Sequence, residues 1–384
     1  MGTPFHPSRR TQDSGDLQMG VQNGAEWKNT RSHLDPHFSF TSANSVIATT
    51  KNAIKTWAET LPQEVNAGVS GPFELDAIIA CRQLPFRLIA MALYGEVFSE
   101  ELFGRLWDLN TLHEEVTFVT FLSPAAKNWW YPWLPTKANA TLRKFNKLWK
   151  ELNLDAVSLA RKRGISIPLE GMYQAVENGN IDMTSFLQSL DEIIFTNIDI
   201  TSTIFAYCLI NLAGHPNEQN NLRSEILSKE NDIATLDRYL KEENTQLHHV
   251  YLELLRNNPP AWFSLPEMTA KDKYIGGYLI PAATPVIIDV RRLNQDSPIW
   301  APDGKVFRPR RWDSVSRLDA RYSLHGYGLG PRKCLGKNFA SIMIKLFVIT
   351  VLENYQLGGA LDTKLRRDTW TRVPESVVSF ENLS

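Results

Sequence analysis

The chain has 384 residues, of which 43% are hydrophobic, and its 41 basic and 42 acidic side chains give a formal net charge of -1. This composition is typical of a globular protein, and the near-neutral charge excludes the electrostatic pattern expected of a nucleic-acid-binding protein. Three cysteines far apart in the sequence, Cys81, Cys208 and Cys334, exclude a disulfide framework and indicate a reducing compartment.

No Gly/Ser-rich linker or charge block divides the chain, so we expect one large domain. Residues 1–25 are rich in Gly, Ser, Asp, Asn and Gln and predict a loop-like segment without a signal-peptide core. No apolar run approaches the roughly 20 residues that a membrane span requires, so no transmembrane segment is predicted.

The first predicted helix carries Trp27 and Arg31, which lie four residues apart and share one helical face. Apolar patterns then predict helices over 43–61, 73–94, 100–122 and 140–163. Pro85 lies inside the second of these and is expected to kink it.

Residues 123–136 form a predicted loop with three prolines and four aromatic residues: Trp129, Trp130, Tyr131 and Trp133. Three interpretations remain open for these aromatic residues: packing beneath a long loop, the roof of a substrate channel, and contact with a membrane surface.

Residues 183–213 predict one long helix that is apolar on nearly all faces, as a helix through a core would be. A polar cluster lies within it: Thr196, Asn197, Asp199, Thr201, Ser202 and Thr203. The hydroxyl groups can bond back to helix carbonyls, but a buried carboxylate at Asp199 needs a partner or a function.

Further helices are predicted over 217–228, 235–243 and 246–257, followed by strands over 274–280 and 284–290. Glu253 and Arg256 are three residues apart on the last of these helices, where they can pair. Arg311 follows in a later loop, Phe307-Arg308-Pro309-Arg310-Arg311-Trp312. Between these motifs lie three further side chains, for which substrate contact and core packing are equal alternatives: Ala261, Trp262 and Phe263.

The most distinctive stretch runs from His325 to Ala340 and surrounds Cys334 with glycines, among them Gly330 and Gly336. Glycine lets the backbone adopt positive φ and lets other groups approach it closely. An apolar helix over 339–351 follows. The pattern predicts a loop that presents the Cys334 sulfur to a metal, the alternative being a buried free cysteine in a turn.

The pattern Gly330-x-Arg332-x-Cys334-x-Gly336 resembles the haem-binding loop of the cytochrome P450 superfamily. The resemblance implies that Cys334 is the haem iron's axial thiolate ligand and that Arg332 pairs with a haem propionate. Trp27 and Arg31 would also touch the propionates. Tyr327 stands where the family usually has Phe, and its hydroxyl needs a partner.

Other residues acquire roles by the same resemblance. Glu253, Arg256 and Arg311 would form a buried structural triad. Asp199 falls at the acid of the oxygen-activating acid–alcohol pair, but Ile200 occupies the usual threonine position. Either Thr201 substitutes through a local distortion of the helix, or substrate and water deliver the proton. Receiving an acidic reductase and forming an ordinary solvated surface are alternatives for the basic residues near the cysteine: Lys333, Lys337 and Lys345.

The implied fold is mainly α with small β-sheets (α+β): a cytochrome P450 fold, N-terminally truncated, with a long central helix over the haem. The resemblance covers the chain from Glu26 onward, and we therefore expect a loop-like remnant over 1–25 and a single haem-binding catalytic domain over 26–384.

The implied activity is that of a haem-thiolate monooxygenase, most like fungal members of secondary-metabolite (mycotoxin-type) biosynthesis, that hydroxylates a small hydrophobic substrate with O2. Oxidative coupling without oxygen insertion and a truncated, inactive haem-binding remnant are alternatives. The cofactor would be haem b, and electrons would come from NADPH through a separate NADPH-cytochrome P450 reductase, since no Gly-x-Gly-x-x-Gly fingerprint occurs. We expect the protein on the cytoplasmic side of the endoplasmic reticulum if a native anchor is missing from this chain, and in the cytoplasm otherwise.

Overall fold

The computed structural model describes residues 19–20, 22–64, 71–122, 128, 130–195, 197–229, 232–359, 363–368 and 371–383. The chain divides into two compact units. The first comprises Met1–His37, Ile89–Asn197 and Pro266–Val286, and the second Phe38–Leu88, Ile198–Leu265 and Ile287–Ser384. Both units are assembled from segments distant in sequence, and the single domain expected over 26–384 stays a prediction.

Helices dominate the described residues. They are α1 (Gly24–Leu34), α2 (Phe40–Ser45), α3 (Ile47–Glu64), α4 (Ala77–Cys81), α5 (Leu84–Tyr94), α6 (Glu100–Leu122), α7 (Lys137–Arg163), α8 (Pro168–Glu177), α9 (Met183–Ile194), α10 (Ile198–Gly214), α11 (Pro216–Leu227), α12 (Ile233–Lys241), α13 (Gln246–Asn257), α14 (Val290–Asp296), α15 (Arg317–Ala320) and α16 (Lys337–Asn354).

The described strands are short. They are β1 (Phe73–Asp76), β2 (Glu267–Met268), β3 (Lys273–Ile275), β4 (Tyr278–Ile280), β5 (Pro285–Val286), β6 (Tyr355–Gly359), β7 (Lys364–Asp368), β8 (Arg372–Glu375) and β9 (Val377–Asn382). An antiparallel sheet has the order β1-β9-β6, with Phe380 opposite both Phe73 and Leu357, and β2-β5, β3-β4 and β7-β8 form two-stranded pairs. The predicted class, mainly α with small sheets, is confirmed.

The core of the first unit is aromatic. Trp149 on α7 packs against Phe195 with ring centroids 5.1 Å apart, and its indole donates a hydrogen bond to the Leu187 carbonyl at 2.9 Å. The hydroxyl of Tyr94 donates to the Asn153 side chain at 3.0 Å in the same interior. These buried polar atoms are therefore paired, as a stable core requires.

The second unit is built around α16. Phe347 on this helix is fully buried and packs against Phe205 of α10 and Trp57 of α3, with ring centroids 4.4 and 5.2 Å away. Burying a side chain of this size contributes about 1.5–3 kcal/mol to folding. The helix begins directly after the cysteine loop, so this packing anchors that loop's carboxyl end.

The single helix predicted over 73–94 is wrong. Phe73–Asp76 is strand β1, because its partner β9 lies some 300 residues later and gives no local signal. Asp76 then accepts hydrogen bonds from the backbone of Ile78 and Ile79 and starts α4. Pro85 does not kink a helix: it is the second residue of α5, where its missing N–H costs nothing.

The prediction of one long helix over 183–213 is also wrong. Helix α9 ends at Ile194, and helix α10 begins at Ile198. The Asn197 side chain donates hydrogen bonds to the carbonyls of Glu192 and Ile193 at 2.9 and 3.2 Å. These two acceptors at the end of α9 are therefore bonded to a side chain. Such side-chain competition interrupts a helix. Thr196, part of the predicted polar cluster, lies outside the described residues.

Two described stretches, Ala77–Val97 and Met183–Gly214, are long and apolar enough to cross a membrane by length and composition alone. Their existence contradicts the expectation that no such stretch occurs. Both are mostly buried within the protein, as core helices are, so their length and composition are weak evidence of a membrane span.

Candidate active site

The turn before Cys334 depends on two glycines in the left-handed region. Gly328 and Gly330 both have φ of +74°, which other residues adopt only with strain. The Cys334 N–H donates to the Tyr327 carbonyl at 2.8 Å, and the Lys333 N–H donates to the Gly330 carbonyl at 3.3 Å. Residues 327–334 therefore form a closed turn that ends on the cysteine.

The Cys334 side chain is exposed, although the helix that follows is almost wholly buried. Gly336 sits at the start of α16, and a Cβ there would come 4.0 Å from the sulfur. The first turn of a helix carries partial positive charge that favours an anion, so this position suits a thiolate.

Tyr327 is half-buried, and its hydroxyl end lies in the interior. Burial raises the pKa of Tyr327 well above its usual value, and Tyr251 and the thiols of Cys334 and Cys208 act in the same direction. The Tyr251 hydroxyl donates to the Tyr327 hydroxyl at 3.2 Å. The prediction that this tyrosine needs a hydrogen-bond partner is confirmed.

A single exposed sulfur fits an axial haem ligand better than a polydentate metal site. The described residues contain no group of three or more His, Cys, Asp or Glu side chains that would hold a metal ion. Zinc sites, by contrast, take at least three protein ligands. The residues present therefore fit a metal that brings its other ligands with it, as haem iron does.

The partners predicted for the propionates lie in different units. Arg332 belongs to the second unit and is half-buried. Trp27 and Arg31 lie on α1 in the first unit, where Arg31 is buried and its Nε is 2.5 Å from the Asp35 carboxylate. Contact of these three residues with propionates stays a prediction.

The Glu253, Arg256 and Arg311 side chains form the predicted triad. All three are buried, Glu253 and Arg256 completely. Glu253 lies 2.7 Å from the Arg256 Nη2 and 2.9 Å from the Arg311 Nε. Its carboxylate also accepts hydrogen bonds from the Arg308 backbone and the Trp312 indole at 2.8 and 3.1 Å. This network fixes the loop that carries Arg311 to helix α13.

Sequence reasoning missed two side chains that complete this region. Asp303 accepts a hydrogen bond from Arg311 at 3.1 Å. Asn294 accepts one from the His325 N–H at 2.8 Å, while its amide reaches the Leu255 carbonyl at 3.3 Å. Asn294 thereby ties the beginning of the cysteine loop to α13. No local pattern distinguishes either residue from an ordinary surface Asp or Asn.

The structure changes the interpretation of Asp199 and Thr201. Asp199 is the second residue of α10 and half-buried, not a buried acid in mid-helix, and its place in the first turn suits the helix dipole. Thr201 is half-buried, and its hydroxyl donates to the Ile198 carbonyl at 3.3 Å. Their roles in proton delivery stay predictions.

Ala261, Trp262 and Phe263 occupy different environments. Ala261 pairs with Thr371, and Phe263 pairs with Asp289 in isolated β-bridges. The guanidinium groups of Arg291 and Arg372 lie 4.5 and 4.7 Å from the centroid of the Trp262 ring. Two cation–π contacts hold this indole. Phe263 is exposed.

The basic residues assigned to reductase contact are not equivalent. Lys333 and Lys337 are exposed, as predicted. Lys345 is buried, which contradicts its assignment to a solvated surface: its Nζ donates to the Leu240 carbonyl at 2.6 Å and lies 3.0 Å from His248 Nδ1. The apolar surroundings of α16 therefore enclose this lysine instead of exposing it.

Part of the aromatic loop over 123–136 lies outside the described residues, including Trp129. Tyr131 is half-buried, whereas Trp130 and Trp133 are exposed, Trp133 with 83% of its surface accessible. Packing beneath a loop does not account for Trp133.

An exposed cysteine at the end of a glycine turn, together with a buried Glu–Arg–Arg network, is typical of the class of haem-thiolate proteins. The family profile described as Cytochrome P450 matches residues 3–375. The chain therefore belongs to the cytochrome P450 family. Membership of this family confirms the predicted fold, enzyme class and haem-thiolate cofactor. Members of the family act on a substrate with O2 and a redox partner.

Fungal relatives support the same conclusion. The cytochrome P450 monooxygenase lepD of Aspergillus flavus is 39% identical over 342 residues, covering 88% of this chain and 67% of the relative. The monooxygenase apdB of Emericella nidulans is 35% identical, covering 90% of this chain and 73% of the relative. The likeness to fungal secondary-metabolite members is confirmed, and the protein is a cytochrome P450 monooxygenase.

Solved structures share the fold. The vancomycin-type antibiotic biosynthesis protein P450 OxyD has a TM-score of 0.68 and 17% identity, covering 96% of this chain and 80% of OxyD. P450BioI, solved with an acyl carrier protein ligated to hexadec-9Z-enoic acid, has a TM-score of 0.73 and 16% identity, covering 99% of this chain and 87% of its own. At these identities the likeness concerns the fold alone.

Proposed function

We propose that this P450 hydroxylates a small hydrophobic organic substrate in fungal secondary-metabolite biosynthesis, with haem b ligated by Cys334. The observation that carries the proposal is the exposed Cys334 sulfur at the end of a closed glycine turn. Electrons would come from NADPH through a separate cytochrome P450 reductase.

In this proposal the haem, when bound, supplies oxygen activation, and the thiolate's electron donation favours O–O cleavage. Cys334 holds the iron, while the turn closed on the Tyr327 carbonyl fixes the direction of the sulfur. Arg332 pairs with a propionate. The Asp199 carboxyl and the Thr201 hydroxyl would hold and pass protons at the start of α10.

Cysteine ligation is tested by the spectrum of the reduced protein with carbon monoxide. We expect a Soret band at the position of thiolate-ligated haem, and Cys334→Ser should abolish it. The matched control is Cys81→Ala, which removes a buried sulfur remote in sequence from the glycine turn and should keep the band. A wild-type spectrum typical of histidine ligation would overturn the proposal.

The reductase proposal is tested by charge reversal on the exposed lysines beside the cysteine. Lys333→Glu with Lys337→Glu should slow electron transfer from a fungal reductase severalfold at low salt and much less at high salt. Lys55→Glu, an exposed lysine on α3, is the control. Equal slowing in the control would show that general charge, not this surface, governs the rate.

Oxidative coupling without oxygen insertion is the second candidate. Ile200 supplies no hydroxyl, and the Thr201 hydroxyl donates to its own helix at 3.3 Å, which favours a reaction that does not depend on the usual alcohol. Product formed under heavy dioxygen distinguishes the two reactions, because hydroxylation incorporates label and coupling does not. NADPH oxidised only to peroxide across a broad substrate panel would instead indicate an inactive remnant.

We also propose that the protein works at the cytoplasmic face of the endoplasmic reticulum when an anchor precedes this chain in the native protein, and in the cytoplasm otherwise. The exposed Trp130 and Trp133 support contact with a membrane surface. Fractionation of the native protein tests this, and Trp133→Ser should weaken vesicle binding of this chain. Unchanged binding would refute the contribution of the tryptophan.

A further inference from the structure

A buried lysine lies behind the cysteine loop. Lys345 on α16 retains 3% of its surface accessible, and its Nζ donates to the Leu240 carbonyl at 2.6 Å. The same nitrogen lies 3.0 Å from His248 Nδ1 and 5.4 Å from the centroid of the Tyr251 ring. An ammonium group over an aromatic face is attracted by the ring's quadrupole.

Contacts continue from this lysine to the sulfur's own turn. The rings of His248 and Tyr251 are 5.8 Å apart, so the tyrosine contacts both the imidazole and the lysine. Its hydroxyl donates to the Tyr327 hydroxyl at 3.2 Å. The Tyr327 carbonyl in turn accepts the Cys334 N–H at 2.8 Å. One cation–π contact and two hydrogen bonds thus join Lys345, in the middle of α16, to the Cys334 backbone through Tyr251 and Tyr327.

We propose that Lys345, Tyr251 and Tyr327 are positioning residues that hold the Cys334 turn and keep the thiolate on the iron. The inference rests on Cys334 being the haem ligand, as proposed above. Each of the three acts through another residue: Lys345 through Tyr251, Tyr251 through Tyr327, and Tyr327 through the backbone of the turn.

The two tyrosine hydroxyls allow a double-mutant cycle. Tyr251→Phe removes one hydroxyl and deprives the interior Tyr327 hydroxyl of this partner, which is costly for a buried polar group. Removing both hydroxyls leaves two phenylalanines of the same shape and can be nearly neutral. The pair should therefore be strongly non-additive, as residues in direct contact are.

The readout is the rate at which the reduced carbon monoxide complex of the haem-loaded protein loses its thiolate band at mild denaturant. We expect Tyr251→Phe to raise this rate about tenfold, because the Tyr327 hydroxyl loses its hydrogen-bond partner. The double variant Tyr251→Phe/Tyr327→Phe should return to within about twofold of the wild type. An additive pair, or an unchanged single variant, would overturn the inference.

The lysine is tested with Lys345→Met, which keeps the length of the side chain and removes the amine. The control is Lys305→Met, at an exposed position. We expect faster band loss for Lys345→Met at temperatures where far-UV circular dichroism shows the fold intact. If band loss only accompanies global unfolding, Lys345 supports the fold and does not position the ligand. A wild-type protein without the thiolate band would refute Cys334 ligation itself, which is a separate failure.

Discussion

Replacing Glu253 with Gln perturbs one carboxylate and leaves its shape in place. The carboxylate accepts hydrogen bonds from Arg256 Nε and Nη2 at 2.9 and 2.7 Å and from Arg311 Nε at 2.9 Å. The Arg308 N–H and the Trp312 indole add two more, at 2.8 and 3.1 Å. A glutamine offers one acceptor oxygen, and its amide group would face guanidinium donors.

The expected cost follows from removing the carboxylate that two buried arginines share, of which Arg311 keeps an ion pair with Asp303 at 3.1 Å. Breaking a buried pair by removing one partner costs about 3–5 kcal/mol. Arg256 keeps hydrogen bonds to the carbonyls of Asn294 and Val306, at 2.8 and 3.2 Å, and to that of Gly304. Because these partners remain, we expect the free energy of unfolding to fall by about 3 kcal/mol, near the lower end of that range. This corresponds to a roughly 150-fold larger ratio of unfolded to folded protein.

The assay is urea denaturation of the haem-loaded protein, followed by far-UV circular dichroism. The control is Glu59→Gln, which removes an exposed pair with Lys55 at 3.8 Å and should cost less than about 1 kcal/mol. Equal midpoints for Glu253→Gln and the wild type would refute the view that this network stabilises the folded chain.

Asp199→Asn should keep the carbon monoxide spectrum but slow turnover and release more peroxide per NADPH, and unchanged coupling would refute its role in proton delivery. Thr201→Ala should uncouple more weakly, because its hydroxyl already donates to the Ile198 carbonyl; loss of coupling equal to that of Asp199→Asn would contradict this. Asp182 starts α9 by accepting hydrogen bonds from the Thr184 and Ser185 backbone, so Asp182→Ala should cost about 1 kcal/mol in a thermal melt and Asp182→Asn much less. Burial opposes ionisation, but the bonds from Ser185 and Thr184 outweigh it and lower the pKa of Asp182. Its contribution to stability is therefore present above the unfolded pKa and disappears as the pH falls through the folded pKa, a pH dependence that Asp182→Asn should remove.

The sequence predicted the elements whose signals are local. Helices α6 and α13 lie where the apolar periodicity and their flanking residues place them, over Glu100–Leu122 and Gln246–Asn257. The spacing of Glu253 and Arg256 predicts that they can pair, and the resemblance to the cytochrome P450 superfamily implies that Arg311 joins them.

Other features depend on partners that no local pattern shows. Strand β1 exists because β9 pairs with it across the sequence. Lys345 is buried because Leu240 and His248, on a different part of the chain, receive its amine. The break after Ile194 coincides with Asn197, whose amide donates to the Glu192 and Ile193 carbonyls, and the sequence pattern does not show that choice of partners.

The three thiols differ enough to serve as an internal measure of cofactor loading. Cys81 and Cys208 are buried, and burial raises the pKa of Cys208 well above its usual value, so neither sulfur reacts readily. Cys334 is exposed. A maleimide should label Cys334 in each haem-free molecule, and iron coordination would protect that site in each haem-loaded molecule. The unlabelled fraction therefore counts the molecules that carry haem, without reference to an extinction coefficient or to catalysis.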